Sequence, residues 1–159
     1  RVALVSGVLF SIAAGAGAIG HHFCGRLLKR LTARAVIAGS VSIGAAGALI
    51  YVLAGNTWLL VLGTPIFGIA IGVATTAAYT AASSVMPGTA RGAGFGLLTT
   101  ASLTGLALSP IVSGILGATS IRAVFVLDVI ALGALALFVS RLMISAPLQV
   151  TTAPSTEEL

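Results

Sequence analysis

The side chains able to do chemistry in this 159-residue chain are few, and most of them are hydroxyls. Thr75, Tyr79 and Ser83 recur every four residues, with Thr76, Thr80 and Ser84 beside them. Thr100 and Thr104 repeat the spacing on a stripe that also holds Gly92 and Gly96. Residues four apart share one face of a helix. Such a face packs on another helix or lines a wet cavity, where uncharged donors and acceptors give adaptable contacts to a small molecule.

Asp128 is the one carboxylate inside an apolar stretch. It lies roughly 10 Å from the end of its segment at about 1.5 Å per helical residue. An acid at such a depth is a candidate proton site or ion partner. The other reading is a structural polar anchor or ion pair near the interface, favoured because Asp128 sits in a span that otherwise reads as lipid-facing scaffold. His21 and His22 stand where an apolar run meets a basic one. Polar anchoring accounts for them more simply than proton transfer does. Cys24 is alone, so no internal disulfide exists, and it reads as a small apolar filler. Metal-ligand clusters and nucleophile–base pairs are missing, so neither an enzyme nor a cofactor is implied. The glycines after Arg91 are not followed by the Gly-Lys-Ser/Thr of a phosphate loop.

These residues are carried by elements of one kind. Hydrophobic residues make up 58% of the chain and charged ones 7%, against about 25% charged in soluble domains. A surface so poor in charge needs the bilayer as its solvent, and there every backbone polar group must be paired internally. Uninterrupted apolar runs exclude a barrel, whose strands would alternate. The expected fold class is all-α: a polytopic transmembrane bundle of five spans, at about 2–20, 35–54, 58–85, 92–118 and 123–140. They form one unit, 1–143, followed by a polar tail, 144–159, that is expected to be disordered and cytoplasmic. The chain opens on Arg1 rather than Met and enters an apolar run directly, which reads as a cut within or just before a membrane helix.

Short connections make neighbouring spans antiparallel. Arg26, Lys29, Arg30, Arg34, Arg91 and Arg141 then fall at one end, with Arg122 and Arg1 at the other. That asymmetry predicts the first end to be cytoplasmic. It also explains the net charge of +5 without nucleic acid. The second and fifth spans are almost wholly apolar and read as lipid-facing scaffold, Leu132 included. Gly7, Ser11 and Gly15 in the first span, and Gly68 with Gly72 in the third, are spaced for close helix packing.

Two stretches carry a family resemblance. Residues 20–30, with Gly20, Gly25, Arg26, Lys29 and Arg30, look like the glycine-and-basic loop of the major facilitator superfamily. That loop lies between the second and third helices of the family, and a degenerate copy lies between the eighth and ninth. No acid precedes Arg26, as in the degenerate copy. Residues 105–114, with Gly105, Ser109, Pro110, Ser113 and Gly114, are similar to the Gly-Pro-x-x-Gly-Gly motif of antiporter fifth helices, with serines in two glycine places. Arg91 with Gly92, Gly94 and Gly96 resembles the start of the eleventh helix, and Arg122 to Phe125 with Asp128 resembles the start of the twelfth.

The resemblance, over about Val2 to Met143, implies helices eight to twelve of a bacterial-type transporter in the inner membrane. It would work by alternating access around a central site. Proton-coupled efflux of a drug or metabolite is the subtype implied by the Pro110 stretch. Thr75, Thr76, Tyr79, Thr100 and Thr104 would then line the substrate cavity. Gly20, Gly25, Arg26, Arg30, Ser109, Pro110, Ser113 and Gly114 would serve gating. The partners implied are a small-molecule substrate, the lipid bilayer and a missing N-terminal half. A sugar or organic-acid uniporter or symporter, and a non-transporting membrane scaffold, stand as alternatives.

Overall fold

A computed structural model describes residues 2–143. They form five helices: α1 (Val2–Leu28), α2 (Ala33–Leu53), α3 (Thr57–Val85), α4 (Arg91–Thr119) and α5 (Ile121–Leu142). One turn of 3₁₀ helix, Gly88–Ala90, leads into α4. All five helices are long and apolar enough to cross a membrane, and no strand occurs among the described residues. The architecture is therefore the all-helical membrane bundle expected from composition. Arg1 and the tail, 144–159, lie outside the described residues.

Helix ends follow local chemistry. Thr32 caps α2 by accepting from the Ala35 amide, and Asn56 caps α3 by accepting from the Leu59 amide at 3.0 Å. Pro87 and Gly88 separate α3 from α4, and the single extended residue Ser120 separates α4 from α5. α1 differs from expectation. It continues through His21, His22, Cys24, Gly25 and Arg26 to Leu28, so most of the supposed basic loop is helix. Hydropathy falls at His21, but a helix needs backbone pairing rather than apolar side chains, and Leu and Arg are good helix formers. The connection that remains is the turn at Lys29 and Arg30.

Packing runs across the bundle in the order α1, α3, α2, α5, α4. The core joins Cys24 of α1, Val36, Ile37 and Val41 of α2, Val73, Ala74 and Ala77 of α3, and Ala136 and Val139 of α5. α2 is thus wedged between α3 and α5, which corrects its reading as lipid-facing scaffold. Small residues decide this. A Cβ at Gly47 would come within 3.2 Å of the Phe67 amide nitrogen, and one at Gly63 within 3.2 Å of Ile50. Between helices in lipid, close backbone approach rather than polarity selects the partner. Leu132 is likewise half-buried against the core and not lipid-facing. α4 is the converse case, since none of its residues is buried.

The seam between α1 and α3 is the tightest. A Cβ at Gly68 would collide with the Ala13 carbonyl, one at Gly72 with the Gly17 carbonyl, and one at Gly20 with the Ile69 carbonyl. Gly68 and Gly72 therefore pack as their spacing predicts. On α1 the expected stripe is displaced: Gly7 and Gly15 have open space where a Cβ would point.

Candidate functional site

At the basic end, α2, α3 and α5 diverge around a cavity of about 870 Å³. Ala33, Val85 and Leu142, at the ends of their helices, line it together with Ile37, Val41 and Leu132. Thr75 and Ser84 are its polar members and Arg34 its one charged member among the described residues. The Thr75 hydroxyl donates to the Ile71 carbonyl at 2.8 Å, and that of Ser84 to the Ala81 carbonyl at 2.7 Å. Both offer methyl or methylene surface and oxygen lone pairs to the space. Arg34 is anchored across the bundle by a hydrogen bond from Nη2 to the Ser140 carbonyl. Such a cavity suits a mostly apolar guest held by few polar contacts.

The five hydroxyl residues expected to share a cavity are divided among several surfaces. Thr75 lines the cavity just described. Thr76, one residue on, turns to α1 and meets His21 Nδ1 at 2.6 Å. Tyr79 points to α4, where its ring stacks on Phe95 with centroids 6.1 Å apart and its hydroxyl approaches Ser102 and Thr99. Thr100 and Thr104 are exposed on α4 and donate to the carbonyls of Gly96 and Thr100. Adjacent residues on a helix point about 100° apart, so Thr75 and Thr76 cannot serve one face.

The gating candidates also separate. Gly20 is pressed against α3, whereas Gly25 has open space around it. Arg26 lies over the Phe23 ring with its guanidinium carbon 5.3 Å from the centroid, a cation–π contact, and Arg30 shares a shallow groove with both. On α4, Ser109, Pro110 and Gly114 are exposed and Ser113 is half-exposed, and the helix continues through Pro110 to Thr119. Asp128 is half-buried on α5 and has no hydrogen-bond or ion-pair partner among the described residues.

Sequence reasoning missed the polar links between helices. Tyr51 donates its hydroxyl to Thr64 Oγ1 at 2.9 Å, joining α2 to α3, and its ring lies 5.0 Å from that of Phe125 on α5. Cys24, read as filler, directs its thiol to the Val73 carbonyl at 3.5 Å. Gly17, Gly20, His21 and Cys24 follow helical spacing, and that periodicity was the available signal for this face of α1.

Five membrane-length helices, short links and a cavity near the basic end suit a polytopic transporter. The sequence model of the Major Facilitator Superfamily matches residues 3–158. The chain belongs to the major facilitator superfamily. No curated protein matches it. Membership, with five membrane-length helices, makes this an integral membrane protein of a transporter family, not an enzyme family, whose members move small molecules across lipid.

Proposed function

We propose that this chain supplies helices eight to twelve, the C-terminal half, of a proton-coupled efflux transporter of a bacterial inner membrane. On this reading residues 1–143 form one transmembrane unit, the basic end and the tail 144–159 are cytoplasmic, and an N-terminal half completes the central site. The substrate is a small, largely apolar molecule. The observation that carries the reading is the bare face of α4. No residue of α4 is buried, and a Cβ at Gly105 or Gly114 would meet nothing within 4 Å. An apolar helix with small residues on an open face is suited to close packing by another helix. The antiporter-like stretch from Gly105 to Gly114 lies on that helix. Support for an apolar substrate comes from the cavity at Thr75, whose wall is almost entirely aliphatic.

Substrate efflux from proteoliposomes under an imposed pH gradient tests the reading in the intact transporter. Gly114→Leu is compared with Leu137→Phe, because Leu137 on α5 is 64% exposed and lies away from the motif. Overpacking where halves close costs about 1–3 kcal/mol, so Gly114→Leu is expected to slow transport roughly tenfold or more. Leu137→Phe is expected to leave it unchanged. Equal rates would reduce the α4 stretch to ordinary lipid-facing helix and remove the support for efflux by antiport.

A further inference from the structure

We propose that His21 is a proton-binding residue of the transport cycle, held by Thr76 in the tautomer that leaves Nε2 open to take the proton. The seam places it. Gly17 and Gly20 let α1 lie against the backbone of α3 at Gly72 and Ile69, which brings His21 Nδ1 to 2.6 Å from Thr76 Oγ1. His21 lies seven residues before the end of α1 and Thr76 nine before the end of α3. The pair is thus roughly 10–13 Å inside the basic end at about 1.5 Å per residue.

The tautomer we assign follows from the hydrogen-bond chain around Thr76. Thr76 has one hydroxyl proton, and it is directed at the Gly72 carbonyl at 3.1 Å. In that arrangement its lone pairs are left to accept, and the His21 nitrogen facing it is the donor. The same pattern occurs independently at Thr64, which donates to the Leu60 carbonyl at 2.7 Å while accepting from the Tyr51 hydroxyl. With the proton on Nδ1, the neutral ring carries its free lone pair on Nε2. His21 is exposed, and Nε2 has no partner among the described residues. A proton arriving from water adds to Nε2, no other bond changes, and the cation keeps its Nδ1–H bond to Thr76, now charge-assisted. Release reverses the step.

Few other groups compete at this position. α3, packed on this face, has no charged residue, and Tyr79, its one titratable side chain, is turned to Phe95 on α4. α2 meets α1 only lightly; its Arg34 bonds the Ser140 carbonyl and its Tyr51 bonds Thr64. On α1 itself, His22 stands edge-on to Phe23, Arg26 lies over the same ring, and the Cys24 thiol points to Val73.

The inference rests on the transport reading, and the test separates the two. The intact transporter, labelled with ¹⁵N-histidine in a His22→Gln background, is placed in lipid bilayers and its imidazole nitrogens are followed by NMR against pH. The expected result is an Nδ1–H neutral ring that titrates at Nε2, retained in Thr76→Ser and lost to the Nε2–H form in Thr76→Val. In proteoliposomes, His21→Gln is expected to lose flux driven by a pH gradient while downhill flux of substrate persists. An Nε2–H ring in the native protein overturns the proposal. So does a tautomer that survives Thr76→Val, or gradient-driven flux that survives His21→Gln. Absence of all flux in the native protein would instead overturn the transport reading itself.

Discussion

Replacing Gly72 with Ala adds one methyl group to α3 at the point where it touches α1. That methyl would overlap the Gly17 carbonyl oxygen, and Gly17 C and Cα lie within 3.1 Å of the same position. Backbone cannot rotate away as a side chain can, so the helices must part by roughly 1 Å to restore ordinary contact. Such overpacking costs about 1–3 kcal/mol. Against it stands the helix propensity of alanine, worth roughly 0.8–1 kcal/mol over glycine. The separation also lengthens the 2.6 Å contact between His21 and Thr76 to the limit of a hydrogen bond, removing about 0.5–1.5 kcal/mol more. The expected net loss is about 1–3 kcal/mol. Gly15→Ala is the matched control: it sits on α1, gains the same propensity and meets nothing within 4 Å. Unfolding of the two variants in mixed micelles, followed by circular dichroism, should give a lower midpoint for Gly72→Ala than for the native protein. The midpoint for Gly15→Ala should be equal or higher. A Gly72→Ala protein as stable as Gly15→Ala would refute the claim that backbone contact at Gly17 defines the α1–α3 seam.

Two further outcomes follow from individual contacts. Tyr51→Phe removes the hydroxyl that reaches Thr64 but keeps the ring against Phe67 and Phe125; it should cost about 0.5–1.5 kcal/mol in the same unfolding assay, and Tyr51→Ala about 3–5 kcal/mol. Comparable losses in the two variants would show that the rings contribute little. At Asp128, which has no partner among the described residues, Asp128→Asn should leave gradient-driven transport within about threefold of native if the residue is a polar anchor. Loss of coupling at normal expression would make Asp128 the proton carrier instead.

Much of the architecture can be read before any contact is known. A charge content of 7% requires the bilayer, and the bilayer admits helices where apolar runs are unbroken. Asn56 marks the start of α3, and Pro87 with Gly88 the break before α4, because capping and φ restriction act within a few residues. Even here, composition misleads at one boundary: α1 extends to Leu28 because hydropathy measures lipid preference and not backbone pairing. The candidate site was legible in part. Thr75 lines a cavity and Tyr79 reaches a neighbouring helix; helical spacing already turns Thr76 away from Thr75, but no spacing could show that its partner is His21 on α1.

By itself, then, the sequence determined the solvent and the number and type of elements, since those depend on composition and short-range chemistry. Tertiary structure alone decided which face of each helix meets which neighbour. In water a polar–apolar division would announce the buried side. Between apolar helices in lipid, lipid tails and side chains are nearly equivalent partners, and the choice rests on fit between backbones. Gly7 and Gly15 have the same spacing logic as Gly68 and Gly72, yet only the second pair lies against another helix. That difference is set by the register of α1 on α3, and the same register brings His21 to Thr76.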